Sequence, residues 1–172
     1  MRKLTLGLCL TLWLGFVACN RPLAEPSAEP ASAEEIRPTH MPEFTLKDTV
    51  GREVSSASFQ GKVLIVDIWA TWCKPCEKEM PEFEKLERKY GEQGFAVIGI
   101  ALDTDPADVA KFTHRLGVTY TILMSTPEAL EKWGGLEGLP TTFVVDRKGR
   151  VRKKVIGFEY PEEFDKAVRE LL

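Results

Sequence analysis

The feature that most constrains the fold is a run of apolar residues, Val63 to Ala70 (VLIVDIWA), that leads directly into Thr71-Trp72-Cys73-Lys74-Pro75-Cys76. A nearly continuous apolar run of this length is expected for a strand covered on both faces. Beyond it, Cys76, Met80, Phe83, Leu86 and Tyr90 follow one another at intervals of 4, 3, 3 and 4, a single apolar stripe at helical period. A buried strand therefore turns straight into an amphipathic helix, with one cysteine at the junction and another one turn further in. Pro81 lies inside the helix, where it removes a donor and crowds the carbonyl of Glu77, so a kink is expected rather than a stop. Gly91 and Gly94 end the helix.

The rest of the chain repeats this alternation. Phe44–Leu46 and Arg52–Val54 flank a turn at Val50-Gly51 and predict a small N-terminal hairpin. Ser55 to Gly61 reads as a turn or one helical turn, and Phe95 to Leu102 (FAVIGIAL) as a second buried strand. Asp105-Pro106 and Thr126-Pro127 each place a capping residue before a proline, opening helices to about Leu116 and through Trp133, with a short strand at Tyr120–Met124 between them. Thr141–Asp146 and Val151–Ile156 form an antiparallel hairpin. Pro161 starts a closing helix whose Phe164, Val168 and Leu171 face the core. Strands alternating with helices indicate an α/β sheet with helices on both faces.

The first 40 residues are different in kind. Arg2 and Lys3 precede the apolar run Leu4–Ala18, and Cys19 follows. This is the pattern of an export signal over residues 1–18. The run is at the short end for a spanning helix, which leaves an uncleaved anchor open beside simple cleavage. Phe16-Val17-Ala18-Cys19 resembles the lipobox of bacterial lipoproteins, with Cys19 as the lipidated residue, although Phe16 stands where Leu is usual. All three readings place the domain across the membrane, in the periplasm or on the outer face of the cytoplasmic membrane. Residues 19–40 are dominated by Pro, Ala, Ser and Glu, too poor in apolar surface to offset their ordering entropy, and are expected to be a disordered tether before a domain at 41–172. A formal net charge of −3 gives no reason to invoke nucleic acid, and a monomer is expected.

Of the four cysteines, Cys9 and Cys19 lie in the signal, which leaves Cys73 and Cys76 as the only thiols of the domain. As a staple, such a pair closes too small a loop to add much. As a metal site it lacks partners, because the domain offers only His40 and His114 and no second CxxC. Redox chemistry remains, and the redox-active pair needs no separate cofactor. A thiolate where a strand becomes a helix faces unpaired N–H groups and the positive end of the helix dipole. That setting supplies up to about 2 kcal/mol, enough to bring a thiol from about 8.5 to about 7. Lys74 adds a screened contribution. Cys73 is the expected nucleophile, and Cys76 the thiol that resolves the mixed disulfide. The simpler alternative, two core cysteines that happen to be neighbours, does not account for the strand-to-helix position. Asp67, within the apolar strand, is expensive to ionise and its pKa should be raised.

WCKPC preceded by VDIWAT and followed by Gly138-Leu139-Pro140-Thr141 resembles the thioredoxin superfamily. Within it, the N-terminal hairpin, the KEMPEF continuation and an extra segment near Asp103–Met124 are similar to anchored TlpA/ResA-like reductases. The resemblance implies a thioredoxin-like α/β fold, a central mixed sheet flanked by helices with an N-terminal β-hairpin and an inserted βα segment. It implies a cis peptide before Pro140, lying against the CxxC, with Leu139 offering backbone groups to an extended substrate. It makes Asp67 a proton carrier for the inner cysteine, Glu79 an acid near the disulfide, and Trp72, Lys74 and Pro75 part of the docking surface. Without the resemblance, Glu79 belongs with Glu77, Glu82 and Glu84 on a mostly solvated helix face. Trp69 reads as core. Arg147 to Lys154, with six basic residues in eight, reads as an exposed hairpin about 17 Å from Pro140. Its return strand brings Gly157 and Phe158 back toward the substrate groove.

The function expected is reduction of disulfides in exported proteins, apocytochrome c among the possible targets, with electrons from a membrane donor of the CcdA or DsbD kind. A DsbA-like oxidant is the nearest alternative, since potentials in this fold span about −270 to −120 mV. A peroxiredoxin-like peroxidase fits less well, because Ala70 occupies the place of the peroxidatic Thr, three residues before Cys73. A copper carrier lacks nearby Met or His ligands.

Overall fold

A computed structural model describes residues 39–172. The expected signal segment 1–18, the lipidation candidate Cys19 and the tether up to residue 38 lie outside the described residues.

Seven strands and four α-helices follow in order: β1 (Thr45–Lys47), β2 (Glu53–Ser55), β3 (Val63–Trp69), α1 (Lys74–Tyr90), β4 (Phe95–Ala101), α2 (Pro106–Leu116), β5 (Thr121–Met124), α3 (Pro127–Lys132), β6 (Thr141–Val145), β7 (Val151–Ile156) and α4 (Pro161–Arg169). The central sheet is mixed, ordered β5-β4-β3-β6-β7. β3 pairs parallel with β4 and antiparallel with β6, so it sits in the middle, and every one of its residues is buried. The apolar run predicted this placement. β1 and β2 form a separate antiparallel hairpin, and α2 with β5 makes the inserted segment on the far side of β4.

The sheet divides the core into two layers. On one face Ile65, Trp69, Val97 and Val144 pack against the α1 stripe and against Phe164 and Val168 of α4. On the other, Leu64, Val66, Ile98 and Phe143 pack against Phe44 and Leu46 of the hairpin and Trp133 after α3. All five residues of the predicted α1 stripe are buried. Phe83 meets Phe164 edge-on at 5.1 Å between ring centres. Truncating so buried a Phe costs about 3–5 kcal/mol.

Local signals set the element ends. Asp105 and Thr126 accept from the backbone N–H groups of Ala107 and Ala129, the cap bonds their positions predicted. α1 continues through Pro81 without interruption to Tyr90, and a 3₁₀ turn to Gln93 precedes Gly94, which takes the left-handed conformation (φ 84°). Gly91 itself is right-handed, so the chain turns at Gly94 alone.

One expectation about charge needs correction. Glu79 and Glu84 are not on a solvated face; they are 1% and 5% exposed, inserted under α1. The basic run is exposed at Arg147, Lys148, Arg150 and Arg152, as expected, and its side chains are also engaged. Arg147 donates to the carbonyls of Gly61, Gln93 and Leu172, Arg150 and Arg152 approach Asp146, and Lys154, mostly covered, pairs with Glu137. The Arg147 acceptors are distant in sequence, whereas Asp146 serves Arg150 and Arg152 from within the same hairpin.

Candidate active site

β3 ends at Trp69, and residues 70–73 carry the chain to α1. Cys73 caps that helix: its Sγ accepts from the backbone N–H of Cys76 at 3.3 Å. Cys73 and Cys76 are joined by a disulfide. Cys73 is 5% exposed and Cys76 wholly buried, so the outer sulfur is the one a partner meets. Trp72, beside it, is 69% exposed, and Lys74 and Pro75 are exposed on the first turn. Lys74 Nζ pairs with Glu77 at 3.2 Å, within α1.

Across from the cysteines runs the Gly138–Thr141 segment. The Leu139–Pro140 peptide is cis, as the resemblance implied. Trp72, Cys73, Pro75, Leu136, Gly138 and Leu139 line a groove of about 550 Å³. Gly157 closes the return from β7: its N–H donates to the Pro140 carbonyl at 2.7 Å, and its φ of 83° suits a residue without a Cβ. Phe158, 46% exposed, follows and stacks edge-on with Tyr160. A larger cleft of about 730 Å³ opens near the start of β3 and the β6–β7 turn, and neither cysteine lines it.

Two carboxyls are buried on the strand and the helix that flank the cysteine pair. Asp67 is fully buried on the α1 side of β3, where Thr142 of the neighbouring strand donates to its Oδ1 at 3.1 Å and Oδ2 has no hydrogen-bond partner among the described residues. Burial, with Glu79 near enough to add to it, pushes the Asp67 pKa up to about 8 against the Thr142 bond. Opposite Asp67 in the β4 register is Gly99, where a Cβ would lie 2.7 Å from Ile122 and 2.9 Å from Trp69 Nε1. Glu79 accepts from the Glu159 N–H at 2.7 Å through Oε1 while Oε2 is unpartnered. Burial raises its pKa to about 7 despite that bond, and the Glu159 carboxylate adds a little.

Of the predicted site residues, Trp72, Cys73, Lys74, Pro75 and Leu139 line one groove; Gly157 is bonded to Pro140 beside it, Cys76, Asp67 and Glu79 are buried, and Phe158 is exposed and does not line the groove. Trp69 is in the core, and His40 and His114 are exposed. Two contributors went unread in the sequence. Asp103, after β4, accepts from the Thr71 N–H at 2.9 Å and from the Thr71 hydroxyl, fastening the inserted segment to the loop before Cys73. Leu136, before the cis peptide, is an exposed wall of the groove. An acid directly after a buried strand was the available signal for Asp103; Leu136 carried none.

A family model described as Redoxin matches residues 38–171. The chain belongs to the Redoxin family. It is 36% identical over 116 residues to the thiol-disulfide oxidoreductase ResA of Geobacillus thermodenitrificans, covering 67% of each chain. The ResA of Bacillus anthracis is 34% identical over 126 residues, 72% of each. A thiol:disulfide interchange protein of Chlorobium tepidum, solved by crystallography, superposes with a TM-score of 0.72 at 34% identity, covering 78% of this chain and 97% of that one. A putative DsbE from the same organism gives 0.72 at 28%, covering 78% and 96%. Fold, family and the cysteine pair agree: this Redoxin is a ResA-like thiol–disulfide oxidoreductase.

Proposed function

We propose that the protein is an extracytoplasmic reductase of disulfides in exported proteins, with apocytochrome c thiols one candidate target. The observation that carries the exchange chemistry is the placement of Cys73, and the direction of electron flow is left to the potential measured below. Its sulfur sits at the N terminus of a long helix, accepting the Cys76 N–H, where a thiolate formed on reduction is stabilised by the helix end.

In the dithiol form, the Cys73 thiolate attacks one sulfur of the substrate disulfide. The substrate S–S bond breaks, one substrate thiolate leaves, and a mixed disulfide forms. Cys76 then loses its proton and attacks Cys73 Sγ, which breaks the mixed disulfide and releases the second substrate thiol. Two electrons pass from the protein dithiol to the substrate. The Asp67 carboxyl, with its raised pKa, is suited to take the Cys76 proton near neutral pH, and Glu79 to hold charge or proton beside the pair. Leu139 offers backbone groups to an extended segment. Trp72, Lys74, Pro75, Pro140, Gly157 and Phe158 form the surface against which the segment lies.

Regeneration requires a reductant outside the cytoplasm, so a membrane donor of the CcdA or DsbD type is included in the proposal. So are the export signal, lipidation at Cys19, the tether and a monomeric state. No bound cofactor is invoked, since the disulfide carries the electrons.

The deciding measurement is the reduction potential of Cys73–Cys76, by equilibration with glutathione or dithiothreitol. A value below about −230 mV is expected for a reductase. A value near −120 mV, as for a DsbA-like oxidant, reverses the direction of electron flow.

A further inference from the structure

A second cleft of about 620 Å³ adjoins the cysteine groove. Its floor is Leu102, Met124 and Leu130, and its walls are the hairpin turn near Gly51, the Asp103–Pro106 loop and Leu136. Leu136 also lines the groove at Cys73, so the two depressions share a wall. The two bonds from Thr71 to Asp103 fix one wall of the cleft to the residue two before Cys73. Its position relative to the outer sulfur is therefore set by the fold.

Apolar exposure points the same way. Among the described residues the large apolar side chains left exposed are Val50, Trp72, Leu136, Ile156, Phe158 and Tyr160. Trp72 and Leu136 line the cysteine groove, and Ile156, Phe158 and Tyr160 belong to the end of β7 and the loop that follows it. Val50 stands on the hairpin turn that walls the second cleft, 72% exposed. Exposed apolar surface gathered at one end of a domain marks a place where something binds. Of the charged groups that line the cleft, Asp48 is held by Arg52 and Asp103 by Thr71, while Lys47 is exposed at the rim.

We propose that this cleft is a second substrate subsite, taking a large apolar side chain of an unfolded polypeptide a few residues from its reacting cysteine. The occupant follows from the continuity of the two depressions through Leu136. Cys73 is only 5% exposed, so a partner reaches it with a flexible, extended segment, and such a segment passes over Leu136 into the cleft. The walls come from the N-terminal hairpin and the inserted βα segment, which gives both additions a part in choosing substrate. The inference rests on Cys73–Cys76 being the site of exchange.

The test uses the reduced protein and short peptides whose single cysteine carries glutathione in a mixed disulfide. The products are protein disulfide, peptide thiol and glutathione, with two electrons transferred. Phe is moved through the four positions on either side of the cysteine in an otherwise Ala-based peptide, and the second-order rate constant is measured for each. One or two neighbouring positions should raise it about tenfold over the all-Ala peptide, the selectivity a hydrophobic pocket supplies. In Thr104→Trp and Ser125→Phe, which fill the cleft from its rim, the ratio of Phe to Ala peptide should fall to within about twofold. The ratio cancels general damage, and two separate variants guard against one misfolding. Equal rates at every position overturn the subsite, as does a preference that survives both filling variants. If the wild-type protein reacts with neither the peptides nor glutathione disulfide, the exchange site itself has been misread and the subsite goes with it.

Discussion

Of the five acidic side chains buried among the described residues, four show that burial comes on two different terms. Glu84, five residues beyond Glu79 on the same helix, receives the Thr119 N–H at 2.6 Å, the Thr119 hydroxyl at 2.7 Å, the Tyr120 N–H and the Arg88 guanidinium. Asp146, in the β6–β7 turn, receives the N–H groups of Lys148 and Arg150 and the Arg150 side chain. Burial pushes both carboxyls up, but these donors outweigh it: Glu84 ends below the usual carboxylate range and Asp146 at about 2. Asp67 on β3 and Glu79 on α1 have one donor each and one bare oxygen each, and burial wins. Burial alone therefore does not distinguish a structural acid from one placed to exchange a proton. The number of donors does.

The sharpest way to break this contrast is Asp67→Asn. A carboxyl whose folded pKa is about 8, against 3.8 unfolded, binds more protons when folded across that window, so stability falls as pH rises from about 4 to 8. Above pH 8 the full cost of the buried charge applies, on the order of 6 kcal/mol from the shift. Asp67→Asn should be more stable than wild type by an amount that grows over this range. Urea unfolding of the oxidised protein between pH 5 and 9 checks it, and parallel pH profiles would sink the assignment. Glu79→Gln should act with the same sign and a smaller span, ending near pH 7.

Asp146→Asn should do the reverse. The folded pKa of about 2 lies below 3.8, so the stabilisation is present above pH 4 and is lost as pH falls through about 2. A loss of about 2 kcal/mol at neutral pH is expected, fading in acid. A variant as stable as wild type at pH 7 would show that the turn holds together without the charge.

The smallest effect belongs to Arg88→Ala. Arg88 is largely exposed, and Glu84 keeps its Thr119 and Tyr120 donors without it. Thermal unfolding should change by about 0.5 kcal/mol or less. A loss of several times that would mean the backbone donors do not hold Glu84 by themselves.

The same contrast marks what could be read from the sequence. β3, the α1 stripe, the capped helices and the cysteine pair were legible because each is written in local periodicity or in a two-residue cap. Asp67 was legible because an acid inside an eight-residue apolar run has no innocent place to go. Glu84 was not, since its donors come from residues 35 and 36 positions away. Arg147 was hidden for the same reason: its three carbonyl acceptors lie 86, 54 and 25 residues from it. The cleft beside Leu136 is built from a hairpin, a strand end and two loops, and no window of sequence contains it.

The position of β7 has a consequence for behaviour in a crowded compartment. It is an outer strand of the sheet, and an unpaired strand side is a template on which another chain can pair and aggregation can start. Here the start of the strand is occupied, because Val151 donates to the Thr39 carbonyl and Met41 to that of Gly149. Arg152, Lys153 and Lys154 then put charge along its length. On the opposite side, β5 is met by the hairpin through the Asp48–Leu123 bridge. Both flanks of the sheet are thus poor partners for a stray strand.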